Sequence, residues 1–345
     1  TYAKVHIIPG VVDQVFKHSP LMAYMRKNNV ETFPGGSAIQ ENFQYAGLKG
    51  GSYAKGGTFD VTKRQTATGM TFLPKQYYVN VTEFLEDINI YVKGPEAPFK
   101  MVDADMNNAA DTMAAYLSIA LYQNGQYTGY TNNLNGLSEM VSDGTTVGWD
   151  GLGASWTTYG TITRYPTTGT IGAALNATVD NIGGAISYGK LETNYRKVCI
   201  GSELPNIGVT TNLGMSYIVQ KFQPQQRVEG NDPNIGFNGI KFNGATMLQD
   251  QYCPGTSISA ATDPIVTAYM SGMGLTYPTM TAETFFWLNT KFFKMYITND
   301  PLFGFGFTGF KRQVDSTVVA GQYLFAGNVV CTSPRLQAQL YGITG

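Results

Sequence analysis

The sequence predicts an α+β chain of two lobes carrying an extended hairpin, and three observations lead there. Between Gly94-Pro95 and Gly125 lies one uninterrupted helical period. Before it the period falls to two, over 39–45 and again over 77–82; after it, short strand and helix patterns alternate to the end. With 345 residues the chain is long enough for two cores at ~150 residues per domain.

Residues 96–124 place Phe99, Val102, Met106, Ala109, Met113, Leu117 and Ala120 at steps of three and four, which puts them on one face of a helix. Pro95 and Pro98 are tolerated only in a first turn. Glu96, Asp103 and Asp105 lie in the half that the helix dipole favours for acids, and Asn124-Gly125 supplies a stop. At ~1.5 Å per residue the rod is roughly 40 Å long, well beyond the common helix of ~11–12 residues.

Ahead of the rod, residues 1–35 read as an extended arm with one short helix. Ser19 can cap it, Pro20 fits its first position, and Arg26 and Lys27 suit its C-terminal end. Lys4, Lys17, Arg26 and Lys27 outnumber Asp13 and Glu31, which makes a mildly basic solvated surface, with contact to nucleic acid as the alternative. From Gly35-Gly36 to about Glu86, Ile39, Phe43 and Tyr45 oppose Gln40, Asn42 and Gln44; later Tyr77, Val79 and Val81 oppose Tyr78, Asn80 and Thr82. Two long strands follow from this period. Between them stand Gly47, Gly50, Gly51, Gly56 and Gly57, then a second alternating piece, Phe59-Asp60-Val61-Thr62. The whole reads as a long hairpin with a mobile tip. No obvious partner downstream covers its apolar face, so a neighbouring chain is expected to.

Behind the rod, residues 126–180 are rich in Gly, Thr, Asn and Tyr and read as irregular β structure, with short strands at 155–159 and 161–164. A helix is expected over 181–198, weakened by Gly183, Gly184 and Gly189. Strands are expected at 207–210, 239–248, 284–288, 292–297 and 323–330, and a helix over 215–222 stopped by Pro224.

Composition narrows the function classes. Charged residues make up only 14% and aromatics 13%, with 40 glycines, so the surface is polar and poor in salt bridges, suited to sheet and broad polar contact. The net charge is −1, whereas a specific DNA binder neutralises ~6–10 phosphates; no basic groove is legible. Cys199, Cys253 and Cys331 are odd in number and far apart, pointing to neither a disulfide framework nor zinc, and to a reducing compartment. No apolar run approaches ~18 residues and no signal-peptide pattern opens the chain, so a soluble protein is expected. The missing initiator Met admits processing, a trimmed propeptide or truncation.

Catalytic motifs fail one by one. His6 and His18 are the only histidines, neither near a nucleophile, so histidine acid–base chemistry is not expected. Gly51 to Thr58 has Walker A spacing but puts Gly57 where the lysine belongs and leads into alternating residues, not a helix. Gly304, Gly306 and Gly309 spell GxGxxG, yet Phe305, Phe307 and Phe310 alternate with them and no helix start follows; this is a glycine-rich sheet edge. Asp103 and Asp105 are two apart on a helix and do not share a face, so no metal site is expected. Gln225-Gln226-Arg227 and Arg335 read as surface or interface. No catalytic, cofactor or metal constellation remains.

The order of arm, hairpin, long helix, Gly/Thr-rich β region, α/β lobe and returning strand resembles the major capsid proteins of tailed bacteriophages, the Hong Kong 97-type fold. Its telling pieces are Asn135-Gly136-Leu137, Tyr159-Gly160-Thr161-Ile162-Thr163-Arg164, the run from Gly236-Phe237 to Phe242 with Gly244-Ala245 and Asp250, and the ending AGNVVCTSPRLQAQLYGITG. The resemblance implies an N-arm at 1–36, an extended hairpin or E-loop at 37–86, and a peripheral domain at 87–180 with the spine helix 96–124. It further implies an axial domain at 181–317 and a return to the peripheral domain at 318–345.

The implied function is a structural one, without cofactor or catalysis: pentamers and hexamers assembling into the icosahedral head of a phage. Head-to-tail contacts close such rings. Implied partners are other copies of the chain, scaffolding, portal and decoration proteins, and packaged double-stranded DNA held non-specifically, with no membrane. The implied location is the virion capsid, assembled in the host cytoplasm. Some members weld E-loop lysines covalently to a neighbour; Lys49 and Lys55 are the candidates, but no matching Asn and Glu motif is readable. The sign contrast between the two elements suggests Lys49, Lys55, Lys63 and Arg64 of one E-loop against Glu96, Asp103, Asp105 and Asp111 of the next spine. The alternatives are an encapsulin-like compartment of the same fold, a β-rich adhesin or carbohydrate-binding module suggested by Trp149 and Trp156, and, last, a hydrolase.

Overall fold

The computed structural model describes residues 19–86, 97–127, 129–164, 169–222, 240–256, 264–274, 280–312 and 316–345. The chain begins with α1 (Pro20–Asn28), β1 (Val30–Phe33), β2 (Ile39–Gln44), β3 (Ala67–Phe72), β4 (Lys75–Phe84) and α2 (Ala97–Leu121). Next come α3 (Leu137–Met140), the small hairpin β5 (Thr158–Tyr159) and β6 (Ile162–Thr163), α4 (Gly169–Ala173), β7 (Thr178–Ala185), α5 (Tyr188–Lys197), β8 (Ile207–Thr210) and α6 (Asn212–Phe222). The remainder is β9 (Ile240–Phe242), β10 (Ala245–Gln249), α7 (Pro264–Gly272), β11 (Glu283–Leu288), β12 (Phe293–Thr298), β13 (Gly304–Phe307), β14 (Lys311–Arg312), β15 (Val318–Cys331) and β16 (Ala338–Thr344).

Two six-stranded sheets organise these elements. In the first, β15 is the hub. Its C-terminal half runs antiparallel to β12, which carries β1 on its other side, while β13 and β14 pair with its middle and start; β4 pairs with it continuously from Lys75↔Gly327 to Phe84↔Val318. The second sheet has the order β7-β16-β11-β8-β10-β9. It is buried on both faces, as adjacent residues of β11 make plain: Phe285 and Trp287 pack under α5 and α6 with Leu191, Tyr195 and Ile218, whereas Phe286 and Leu288 join the larger core. That larger core is built on α2, whose Met106, Ala110, Met113 and Leu117 are buried at helical spacing.

The expected short helix in the arm is present as Pro20–Asn28 and the expected long helix as Ala97–Leu121, the first with the Ser19 hydroxyl accepting from the Met22 amide at 3.5 Å. Other expectations are corrected. The hairpin pairs β2 with β3, not with the 77–82 strand, which belongs to β4 and finds its partner in β15. The apolar face is therefore covered within the chain: Ile39, Phe43, Met70, Phe72, Tyr77 and Val81 are buried. Residues 59–62 form no strand. The first half of the 181–198 helix is strand β7, in which Gly183 and Gly184 take φ 56° and 156° beside a register shift against β16; the helix starts only after Ser187, whose hydroxyl accepts from the Lys190 amide. The 239–248 strand is a hairpin turned at Asn243-Gly244, both at positive φ as a two-residue turn of this type requires.

Sheet membership also cuts across the expected boundary at 317. β12 to β14 join the α2 lobe's sheet, and β16, near the chain's end, lies between β7 and β11 in the other sheet. The pieces 1–18, Glu96, Gln225-Gln226-Arg227 and Gly236-Phe237 lie outside the described residues, as do His6 and His18. No helix among the described residues is long and apolar enough to cross a membrane.

Candidate assembly surface

The loop between β2 and β3 leaves the body of the molecule on a fixed root. Thr66 accepts from the Tyr45 and Ala46 amides at 3.0 and 3.3 Å and so closes the neck. On one side the turn at Gly160 presses on β3: the Thr71 amide donates to the Gly160 carbonyl at 3.0 Å, and a Cβ on Gly160 would lie 2.6 Å from Met70 Cβ. On the other side Glu41 of β2 accepts from the Lys294 ammonium at 3.1 Å and from the Tyr296 hydroxyl, while Glu31 meets the same lysine at 3.3 Å. Partial burial works against the Lys294 charge, but the two carboxylates prevail and raise its pKa.

Beyond that neck the loop is exposed and partly self-organised. The Lys49 ammonium meets Asp60 at 2.6 Å and donates to the Thr62 hydroxyl; Asp60 in turn accepts from the Thr62 amide at 3.0 Å. The lysine first, then Thr62, holds the Asp60 carboxyl below its ordinary range. Tyr53 and Phe59 stack edge to face at 4.8 Å. Leu48 is 82% exposed and Val61 90%. Lys55, Lys63 and Arg64 are exposed and form no ion pair among the described residues.

Facing outward on α2 are Asp103 and Asp111, while Asp105 is half-buried in a groove of about 740 Å³ between the helix and β4. Residues 76–82 form one wall; Asp105, Asn108, Thr112 and Tyr116 form the other. An adjoining cavity of about 610 Å³ covers the outer face of the first sheet around Leu73, Tyr78 and Leu324, and Tyr78 is 63% exposed. Within the described chain the structure pairs none of the loop's cations with an α2 acid; Lys49 is engaged inside its own loop.

The residues that hold these surfaces in place were only partly legible in the sequence. Arg164, fully buried, donates to the carbonyls of Glu139, Ser142 and Leu175, and burial lowers its pKa to about 10. The Glu139 carboxylate, raised by burial, accepts from Gln126 at 2.6 Å and Asn135 at 2.7 Å. Asp250, also buried and raised for that reason, accepts from Ser19, from the Tyr122 hydroxyl at 3.0 Å and from the Tyr252 amide. It thereby ties α1, the end of α2 and the second lobe together. Glu139 and Tyr122 escaped sequence reasoning, because a single polar residue carries no period. Trp149 and Trp156, which suggested a carbohydrate-binding module, are buried, the latter donating to Asp150 at 2.9 Å, so neither offers an exposed ring to a sugar. The glycine-rich stretch at 304–309 enters β13, paired with β15.

Solved structures share this architecture over nearly the whole chain. The capsid of a native GTA particle is 9% identical with a TM-score of 0.59, covering 93% of this chain and 90% of that one. The cyanophage A-1(L) capsid is 13% identical with a TM-score of 0.57, covering 94% and 93%. The SrpI encapsulin of Synechococcus elongatus PCC 7942 is 7% identical with a TM-score of 0.55, covering 93% and 87%. The chain has the Hong Kong 97-type capsid fold. No sequence-family profile and no curated protein sequence matches it. The capsid fold is thus legible in the arrangement of the elements, at identities where residue-by-residue likeness has almost vanished.

Proposed function

We propose that this chain is a major capsid protein that assembles through pentamers and hexamers into the icosahedral head of a tailed phage around double-stranded DNA. The observation that carries the reading is the match of fold over more than nine tenths of the chain to subunits of closed shells. A loop that projects large apolar side chains into solvent, on a root fixed from two sides, supports it: such a loop suits a contact with another copy. Head-to-tail contacts of this kind close into rings. The role is structural, with no catalytic step. Scaffolding, portal and decoration proteins, and assembly in the host cytoplasm, belong to the same reading.

In this reading residues 1–36 form the N-arm and 37–86 the E-loop with its anchoring strands. The peripheral domain is α2 with the β15-centred sheet, and the axial domain is the sheet from β7 to β9 with α5 and α6. Lys55, Lys63 and Arg64 of one subunit face Glu96, Asp103, Asp105 and Asp111 of the next. Exposed pairs are weak and screened by salt, so their role is register more than strength.

A second reading, an encapsulin-like compartment enclosing protein cargo, is supported by the match to the SrpI shell. Sedimentation and negative-stain microscopy of the purified chain test the common part: closed particles tens of nanometres across, or discrete pentamers and hexamers, are expected. A monomer at every concentration and salt, with or without the other products of its own gene neighbourhood, overturns it. Nuclease-resistant DNA inside the particles separates the phage head from the compartment.

A further inference from the structure

The sequence holds four Asn-Gly pairs, beginning at Asn124, Asn135, Asn238 and Asn243. This dipeptide is the one most open to cyclisation, because glycine has no side chain to keep its amide nitrogen from the preceding carboxamide. The pair at 238 lies outside the described residues, and the fold treats the other three differently. Asn124 is buried, and its Oδ1 accepts from the Gln126 amide at 2.6 Å; a Cβ on Gly125 would lie 2.9 Å from the Asn133 carbonyl oxygen. Asn135 is held at both ends of its carboxamide, by Glu139 and by Asn328 at 2.7 Å each, and the Gly136 amide is already committed to the Leu134 carbonyl at 2.9 Å.

Asn243-Gly244 has none of this protection. The two residues are the whole of the turn between β9 and β10, where Phe242 pairs with Ala245. Both are exposed, and nothing lies within 4 Å of a Cβ on Gly244. The Gly244 amide donates to no group among the described residues. β9 is only three residues long and stands at the edge of its sheet, so the turn can leave its positive-φ geometry at little cost to the rest of the lobe. What pins it is α5. Asn243 Nδ2 donates to Glu192 Oε2, the Tyr195 hydroxyl donates to the Asn243 carbonyl at 3.2 Å, and the other Glu192 oxygen accepts from Arg196 at 2.7 Å.

We propose that Asn243 is a site of self-modification. The Gly244 amide nitrogen gives up its proton and attacks Cγ of Asn243, and the side-chain nitrogen leaves as ammonia. Water then opens the five-membered imide to aspartate or isoaspartate, so that one water enters, one ammonia departs and nothing is oxidised or reduced. The product reverses the contact with α5: a carboxylate only accepts, so a donor to Glu192 becomes a like charge facing it. Isoaspartate also adds one carbon to the main chain of a two-residue turn and disturbs the register of β9 against β10. Either product loosens the hairpin from the second lobe. The reaction belongs to the single subunit and is independent of the shell reading.

Peptide mapping of the full chain, aged in mildly alkaline buffer, tests this. Trypsin cuts after Lys241 and Lys291, so Asn243 falls in the peptide 242–291, apart from Asn124 and Asn135 in 101–164 and from Asn238. The folded chain is expected to exchange NH2 for OH at Asn243 while Asn124 and Asn135 keep their amides; the same chain in urea is expected to react at all three. Gly244→Ala is expected to slow the reaction about tenfold or more. Asn243→Asp reproduces one product, and its amides at 245–247 are expected to exchange several-fold faster than in the parent, with the difference lost in a Glu192→Gln background. A folded chain in which Asn243 is as durable as Asn124 and Asn135, or in which all three react at one rate, overturns the site. Unchanged exchange in Asn243→Asp, or a change that persists in Glu192→Gln, overturns the loosening through Glu192.

Discussion

Asn135 and Asn328, almost two hundred residues apart, hold each other: the Asn328 amide group donates to Asn135 Oδ1 at 2.7 Å, and the Asn135 backbone amide donates to Asn328 Oδ1 at 3.1 Å. Asn328 also donates to the Leu73 carbonyl at 2.7 Å, at the entry to β4. The pair therefore fastens the loop behind α2 to the hub strand and to the hairpin. Asn328→Leu orphans Asn135 Oδ1 and the Asn135 backbone amide in a buried place and removes the donor to the Leu73 carbonyl. Each orphaned group costs about 1–3 kcal/mol, so the subunit is expected to lose at least about 2 kcal/mol in urea denaturation. A variant whose unfolding midpoint matches the parent would show the joint to be dispensable.

Next to Asn135, Gly136 is fixed by contact with the end of α2. A Cβ there would sit 2.6 and 2.7 Å from the carbonyl oxygens of Gln123 and Ala120, and closer still to that of Leu121. Backbone on all sides cannot yield, so Gly136→Ala is expected to destabilise by more than the usual ~1–3 kcal/mol of overpacking and to reduce the yield of folded subunit. Gly189 makes the contrast: nothing lies within 4 Å of a Cβ there, and it stands in α5. Gly189→Ala is expected to stabilise by about 0.4–1 kcal/mol. Equal effects from the two substitutions would remove close packing as the cause.

These two glycines mark what a sequence can and cannot reveal about this fold. α2 was legible because its core face repeats every three to four residues for seven turns, and α1 because Ser19-Pro20 is a local signal. β7 was misread because Gly183 and Gly184, which weaken a helix, serve here in an irregular strand beside β16. The partner of β4 was not legible at all: alternation reveals which face of a strand is buried but not which of its edges is paired, and β15 lies some 240 residues downstream. The same limit applied to the candidate interface. Charges named the loop and the helix as complementary, whereas the internal pairing of Lys49 with Asp60 depends on how the loop folds back on itself.

Asp250 makes the stability of the subunit depend on pH in a sense opposite to most carboxylates. Burial raises its pKa, although Ser19, the Tyr252 amide and Tyr122 all favour its charged form; the Asp250 carboxyl and the buried Cys253 thiol interact electrostatically. A raised carboxyl binds its proton more tightly in the folded state, so its contribution is full below the unfolded value near 3.8 and is lost as pH rises through the folded one. Other groups titrate over the same range, so the measurement is a difference. The stability of the parent minus that of Asp250→Asn is expected to grow as pH falls from neutral toward 4. A difference that shrinks on acidification would mean that Asp250 is held in its charged form.

Charge at the loop is expected to act on assembly and not on folding. Lys55→Glu with Arg64→Glu removes no contact within the described subunit, so its unfolding midpoint is expected to stay within about 0.5 kcal/mol of the parent, as for most surface substitutions. Assembly at low salt is expected to fail or slow, with less effect at high salt, where the pairs are already screened. Adding Asp105→Lys and Asp111→Lys in the same chain places the reversed signs opposite each other at every contact and is expected to restore assembly. Unchanged assembly at both salts, or no rescue by the double reversal, would separate these residues from the contact.

The tip of the loop can be cut without touching its root. Deleting 49–57 removes Lys49, Tyr53 and Lys55 but spares the neck, where Thr66 accepts from the Tyr45 and Ala46 amides, and the anchors at Gly160 and Lys294. Shortening a surface loop changes closure entropy only slowly with length, so the subunit is expected to fold with nearly unchanged stability. Without the Lys49–Asp60 bridge and the Tyr53–Phe59 stack, however, the segment from Phe59 loses the support that presents it. The truncated subunit is therefore expected to sediment as a folded monomer where the parent forms capsomers or shells. Particles of normal size and yield from the deletion would place the decisive contacts elsewhere on the subunit.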